Sequence, residues 1–562
     1  ADISLEDITS SEQNKQILRR LRDDDLGWLD RIALGREGQF YLGVGSSGLL
    51  RVREGDDLGW LGYFIGRSVK LQGLEILDLP EHEGGEQQMH AFLDGVARSQ
   101  SIQRVQVNEQ LGEYLSTAIL RALGNMTQLE ELFYNRNNLD SNGCSVLGTL
   151  LESGACKLKE LWLYNDNIGD DGVAALASGL RSIAPSLKTL GLSWNSIGND
   201  GLSALVAALE SCTGLEILDL SGNDFSLATA GLGSLSDWLQ TAVLNLNELS
   251  LRYCAINDEG MQTLAGGATN HCKDLNLAGN DSITASGLRY LSTSLQSNSC
   301  RLEKLCLGAM NIGDDGAEVL ARGLVGNETL RFLHLRDDEE LDDEEEFVIT
   351  PVGWNAFTIA LCDTSTVNNT YLSNHTVQEF WGIFDEPDED EDIDESVVLY
   401  TKLNKEHPED AAVCKILMNH THLDMAPLLR WGLKFLPLAV GWFERAHPCT
   451  TLSIVEAWAE VEVSSEDVFQ SRILTALYEF VRGVPRKVLE RRDELALVAA
   501  CDDKIARLRE DAEERDRKIT QLEEENKILS KIVVCNDKIA MAEEEIKMLR
   551  EDVEQRDRKI TQ

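Results

Sequence analysis

Residues 161–180, LWLYNDNIGDDGVAALASGL, and residues 190–209, LGLSWNSIGNDGLSALVAAL, decide the fold. Each opens on the end of an LxxLxL frame: Leu158, Leu161 and Leu163 in the first, Leu187, Leu190 and Leu192 in the second. A period-2 run sends its leucines to one side of a short strand. The frame returns at Leu215–Leu218–Leu220, Leu302–Leu305–Leu307 and Leu330–Leu333–Leu335, with looser starts at Leu74, Ile102, Leu129, Leu246, Cys272 and Val367. That makes eleven starts, spaced 26 to 31 residues apart except where an acidic insertion stretches the step from Leu330 to Val367.

The ninth position is Asn or a substitute: Asn137, Asp166, Asn195, Asn223, Cys254, Asn280. A buried Asn there satisfies backbone groups that a sharp turn frees. The fifteenth is glycine in five repeats, Gly143, Gly172, Gly201, Gly260 and Gly316. Apolar residues four apart follow, as in Leu176/Leu180 and Leu205/Leu209, and predict one short helix per repeat. An α/β leucine-rich-repeat solenoid is therefore expected over 71–380, a horseshoe with one parallel strand and one helix per repeat. The two quoted stretches resemble the ribonuclease-inhibitor class of leucine-rich repeats. That class hosts inhibitors, receptors and regulators, so the resemblance implies a fold and leaves the function open.

Residues 1–70 are expected to cap the array. DDLGWL occurs twice there, and Leu29-x-x-Ile32-x-Leu34 fits a capping strand. The stretch EGDDLGWLGYFIG (54–66) and the Leu- and Trp-rich 416–446 are similar to segments of diatom repeat proteins, a likeness that implies no activity.

The net charge of −44 disfavours nucleic acid and anionic membranes, and favours a basic protein surface. No run approaches the roughly 20 apolar residues of a membrane span, and Ala1–Arg20 has no signal-peptide pattern. Twelve dispersed cysteines without CxxC are expected to be reduced thiols of a cytoplasmic or nuclear protein. A start without Met and an end in mid-heptad suggest a fragment.

Two acidic tracts, 337–346 and 385–395, are expected to be solvated, the second within a linker at 381–396. Residues 397–499 form an expected helical block. Its His420 and His422 are expected to be structural. Residues 500–562 carry heptads and a duplicated stretch, REDAEERDRKITQ (509–521) and REDVEQRDRKITQ (550–562), which predict a coiled coil. Asn526 falls at an a position between Leu522 and Leu529 and favours a parallel in-register homodimer. Leu508, Ile519, Leu522, Asn526, Leu529, Ile546 and Leu549 are the expected dimer contacts.

Enzyme chemistry is not encoded in any visible motif, and no cofactor or metal is expected. Gly43-Val-Gly45-Ser-Ser-Gly48 matches GxGxxG but is not followed by the helix that phosphate binding needs. Strand residues between the inward leucines face the concave side. They give a candidate partner-binding set of Phe133, Trp162, Tyr164, Trp194 and Tyr253 with the carboxylates Glu131 and Glu160; His334 and Tyr371 are expected further along the same face. The bland alternative is that the rings pack on each other or under a folded-back acidic loop.

The expected function is a non-catalytic scaffold that binds a basic protein on the concave face and associates through the coil. Two alternatives stand beside it. Repeats followed by an acidic segment resemble the Ran-activating family of GTPase activators, although no family loop motif is present. Charge alone suits an acidic histone-binding chaperone.

Overall fold

The computed structural model describes residues 5, 8, 9, 11–26, 31–36, 48–52, 56–77, 86–108, 113–153, 157–241, 246–335, 349–381, 394–408, 411–420, 547, 548 and 550. All elements below belong to one unit; of the other, Asp424–Gly441 with Val463–Gln562, only Lys547, Met548 and Arg550 are described. The acidic tract 337–346, most of the second tract, and all seven expected dimer contacts in the coil lie outside the described residues.

Strands and helices alternate. The first are α1 (Glu12–Asp23), β1 (Arg31–Arg36), β2 (Gly48–Val52), α2 (Asp56–Ile65), β3 (Gly73–Ile76), α3 (Glu86–Ala97), β4 (Arg104–Asn108) and α4 (Glu113–Leu123). The middle holds β5 (Glu131–Asn135), α5 (Ser141–Glu152), β6 (Glu160–Trp162), α6 (Gly169–Ile183), β7 (Thr189–Gly191), α7 (Asn199–Ala208), β8 (Ile217–Asp219), α8 (Thr229–Thr241), β9 (Glu248–Ser250) and α9 (Asp258–His271). The last are β10 (Asp274–Asn276), α10 (Ala285–Leu295), β11 (Lys304–Cys306), α11 (Gly313–Leu324), β12 (Phe332–His334), α12 (Pro351–Leu361), α13 (Val367–Leu372), β13 (Glu379–Trp381), α14 (Glu395–Glu406) and α15 (Ala411–Asn419).

The strands form one parallel sheet in the order β13 through β3, then β1, then β2. The expected solenoid is present, and its sheet runs on into β1 and β2. Ile32 pairs with Leu74, so the segment before residue 70 shares the repeat register. A strand, not a helix, follows the glycines at 43–48.

The fourth frame position makes a continuous column: Leu132, Leu161, Leu190, Leu218, Leu249, Leu275, Leu305 and Leu333 stand in register and are fully buried. Each such leucine contributes about 1.5–3 kcal/mol, and no repeat buries it without a neighbour.

The ninth-position residues form a ladder under the turns. Asn195 Nδ2 donates to Leu163 O (2.5 Å) and Ser193 O (3.1 Å), and its Oδ1 accepts from Asp166 N (2.8 Å). Asn223 repeats this with Leu192 O and Leu220 O, and Asn280 with Leu251 O and Leu277 O. On the outer side, Asp258 Oδ1 accepts from Thr284 N (2.7 Å) and Gly287 N (2.9 Å), capping the next repeat's helix, and Asp314 does the same for Thr350 N and Gly353 N.

Two frame starts differ from expectation. The third strand's frame begins at Leu71, not Leu74, with Leu71, Leu74 and Ile76 buried. The last begins at Val377, not Val367, because Phe380 pairs with Leu333. Val367–Leu372 is instead helix α13, capped by Thr366 Oγ1 accepting from Asn369 N at 3.0 Å. Tyr371 therefore lies on a helix, away from the strand face. Beyond β13, Asn404 of α14 donates to Val377 O (2.6 Å), and buried Lys415 of α15 donates to Leu361 O (2.7 Å) and Asn374 O (2.8 Å).

Candidate binding face

The strands are three residues long where the repeats are most regular, so each offers two side chains, at frame positions three and five, to the concave side. Phe133 and Trp162 occupy position five of β5 and β6 and are cross-strand partners. Their rings are parallel, with centroids 6.2 Å apart at 9°. Arg104 of β4 lies 4.4 Å above the Phe133 ring and pairs with Glu131 at 3.1 Å. On the other side the indole rests on Gly191, where a Cβ would come within 2.1 Å of Trp162 Cε3. The result is a stack of Arg104, Phe133, Trp162 and the β7 backbone. Trp162 Nε1 is buried inside it, without an acceptor among the described residues.

A second pair sits at position eight, where the chain leaves the strand. This position has positive φ in repeat after repeat: Arg136 60°, Asn165 55°, Trp194 60°, Gly222 69°, Tyr253 53°, Gly279 70° and Ala309 49°. Glycine adopts that conformation freely, whereas each bulky residue there costs about 1 kcal/mol or more. Trp194 and Tyr253 occupy it nonetheless. Trp194 leans over Gly222 and Tyr253 over Gly279, where a Cβ would stand 2.4 and 2.1 Å from the rings. Their centroids are 6.2 Å apart at 43°, and Trp194 remains 46% exposed.

The seven expected partner-binding residues thus fall into groups. Phe133, Trp162 and Glu131 come together, as do Trp194 and Tyr253. Tyr164 stands with Arg136, whose guanidinium lies 5.4 Å from its ring. Glu160 faces the same side, half-buried, with no ion pair among the described residues. The rings do pack on each other in part, and Trp194 remains half exposed.

Sequence reasoning missed the arginines 104, 136 and 252 and the glycine seats 191, 222 and 279. A glycine in the same column one repeat after an aromatic was a legible signal.

Burial raises the carboxyls of Glu248 and Asp274, and the Asp274 charge adds to the rise at Glu248. Below the turns, fully buried Asp166 accepts from Asn137 N (2.6 Å) through Oδ1, while Oδ2 has no partner among the described residues. Burial pushes its carboxyl up to about 8. Cys306 Sγ lies 3.4 Å from His334 Nδ1, but burial pushes that thiol up to about 11, which leaves it a poor nucleophile at neutral pH. Among the described residues, no three His, Cys, Asp or Glu side chains are placed to hold a metal ion, and no helix is long and apolar enough to cross a membrane.

A family model described as Leucine Rich repeat matches residues 184–206, 244–265 and 270–292. The bovine protein named NACHT, LRR and PYD domains-containing protein 5 is 33% identical over 123 residues, 22% of this chain and 11% of that protein. Its human counterpart is 31% identical over 122 residues, 22% of this chain and 10% of that protein. The mouse NACHT, LRR and PYD domains-containing protein 12 is 34% identical over 120 residues, 21% of this chain and 11% of that protein. The matches therefore span about a tenth of these relatives.

Proposed function

We propose that this leucine-rich-repeat protein is a non-catalytic scaffold that holds a protein partner on its concave face. Phe133, Trp162, Tyr164, Trp194 and Tyr253 act as anchors, and Glu131 and Glu160 select a basic rim. One observation carries the reading: Trp194 and Tyr253 are kept in a left-handed conformation that the repeat after each gives to glycine, Gly222 and Gly279, and Trp194 is left half exposed. Strain held at a solvent-facing ring makes sense where the ring contributes elsewhere, and Trp and Tyr dominate binding hot spots. Repeats of this kind generally bind proteins, in keeping with the family match.

The coil after residue 500 adds a parallel homodimer to the proposal, which would double the valency of the face. Two changes separate the parts. Trp162→Ala with Trp194→Ala is expected to lose the partner and keep the circular dichroism of the array. A chain ending at residue 499 is expected to keep the partner and become monomeric by light scattering. Full partner recovery by the double variant would end the concave-face reading, and a dimeric truncated chain would end the coil reading.

A further inference from the structure

Of the five rings placed above, four are already occupied on the face that could take a cation. Arg104 covers Phe133 at 4.4 Å, Arg136 covers Tyr164 at 5.4 Å, and Arg252 covers Tyr253 at 5.0 Å. Trp162 is closed between Phe133 and Gly191. Trp194 carries no cation from the described residues, although an indole attracts one more strongly than a phenyl or phenol ring. One side of its ring rests on Gly222, and Trp194 stays 46% exposed.

Charge gathers around that seat. Asp219 stands three residues before Gly222 and Asp224 two after it. The Asp219 carboxylate accepts from Ser221 N (3.0 Å) and Ser221 Oγ (2.5 Å), and Ser221 O accepts from Trp194 N (2.7 Å), which brings Asp219 to the turn that seats Trp194. Asp224 is exposed; its carboxylate accepts from Ser226 N (3.0 Å) and Ser226 Oγ (2.6 Å). Glu248 and Asp274 follow on the next two strands. Among the described residues, the cations beside these strands' inner faces are Arg252, already on Tyr253, and Lys304, paired with Asp274 at 3.1 Å. Four carboxylates thus face two cations.

We propose that Trp194, with Asp219 and Asp224, receives an arginine side chain of the protein partner, its guanidinium stacked on the exposed part of the indole. The chain builds the same arrangement internally, where Arg104 stacks on Phe133 and pairs with Glu131. Arginine is favoured over lysine because a planar, weakly hydrated guanidinium stacks on an aromatic face and keeps its edge free for carboxylates. The inference rests on the concave-face reading and narrows it to one contact.

The test is a titration of the full chain, labelled with fluorinated tryptophan, by the peptide acetyl-Gly-Arg-Gly-amide. The Trp194 resonance is assigned by its loss in Trp194→Phe. Parallel titrations use citrulline and lysine in place of arginine, and the Asp224→Asn chain. The arginine peptide is expected to shift the Trp194 signal saturably, the lysine peptide to bind more weakly, and the citrulline peptide to leave the signal in place. Asp224→Asn, a surface change, is expected to weaken arginine binding about threefold. No Trp194 shift with arginine, or an equal shift with citrulline, overturns the proposal. An equal response to lysine overturns the choice of arginine. Failure here with partner capture still lost in the Trp162→Ala, Trp194→Ala chain sinks this contact alone. Arginine binding with capture unchanged sinks the concave-face reading instead.

Discussion

Asp166→Asn should stabilise the protein, and by more as the pH rises. At the ninth position Asn137, Asn195, Asn223 and Asn280 each donate through Nδ2 to backbone carbonyls, and Asp166 offers an oxygen in that place. An unfolded Asp loses its proton near pH 4, whereas burial holds the folded Asp166 carboxyl up to about 8. Between those values the unfolded chain gives up a proton that the folded chain keeps. The stability present below pH 4 is therefore lost as pH rises toward 8, at about 1.4 kcal/mol per unit. From pH 5.5, safely above the isoelectric point near 4.5, to pH 8 the loss is on the order of 3 kcal/mol. The substituted amide has no such proton and restores the donor. The titration of the other carboxylates is common to both chains and cancels in the difference. The assay is urea unfolding of both chains at pH 5.5, 7 and 8.5. A stability gap that stays constant with pH, or an Asp166→Asn chain that is weaker at pH 8.5, would refute the reasoning.

Two further substitutions test the seats and the far end of the array. Gly222→Ala places a methyl group 2.4 Å from the Trp194 ring at a φ of +69°, so it should cost about 1–3 kcal/mol in urea unfolding and raise partner Kd by displacing the indole. Lys415→Met removes the donor to Leu361 O and Asn374 O and leaves buried carbonyls unpaired; a loss of about 2–4 kcal/mol, seen as faster proteolysis within α15, is expected.

The repeat frame was legible because the same leucine is needed in every repeat for the same reason. The column from Leu132 to Leu333 is one continuous core, and any break in its period would expose it. The frame misled at the ends, where that reason weakens. Near Leu74 the spacing admits a frame one step too late, since Leu71, Leu74 and Leu77 are all buried and three apart. At Val367 a helix imitates the spacing of a strand, and only pairing of Phe380 with Leu333 locates the true last repeat. Aromatic positions could be read from the register. The glycine seat of each ring was legible in the same column one repeat later, but the arginines on Phe133, Tyr164 and Tyr253 were not, because the reach of a long side chain is set by packing and not by register. Asp166 was recognisable as an Asn substitute, yet its missing donor and raised carboxyl follow only from its full burial.

The claim that the concave face holds the partner is tested most directly by site-specific photo-cross-linking. A photoreactive residue replaces Tyr164, on the strand side, in one chain and the partly exposed Tyr290 of α10, on the helical side, in another. The partner is expected to be trapped from position 164 and not from position 290. Trapping from position 290 alone would contradict concave-face binding.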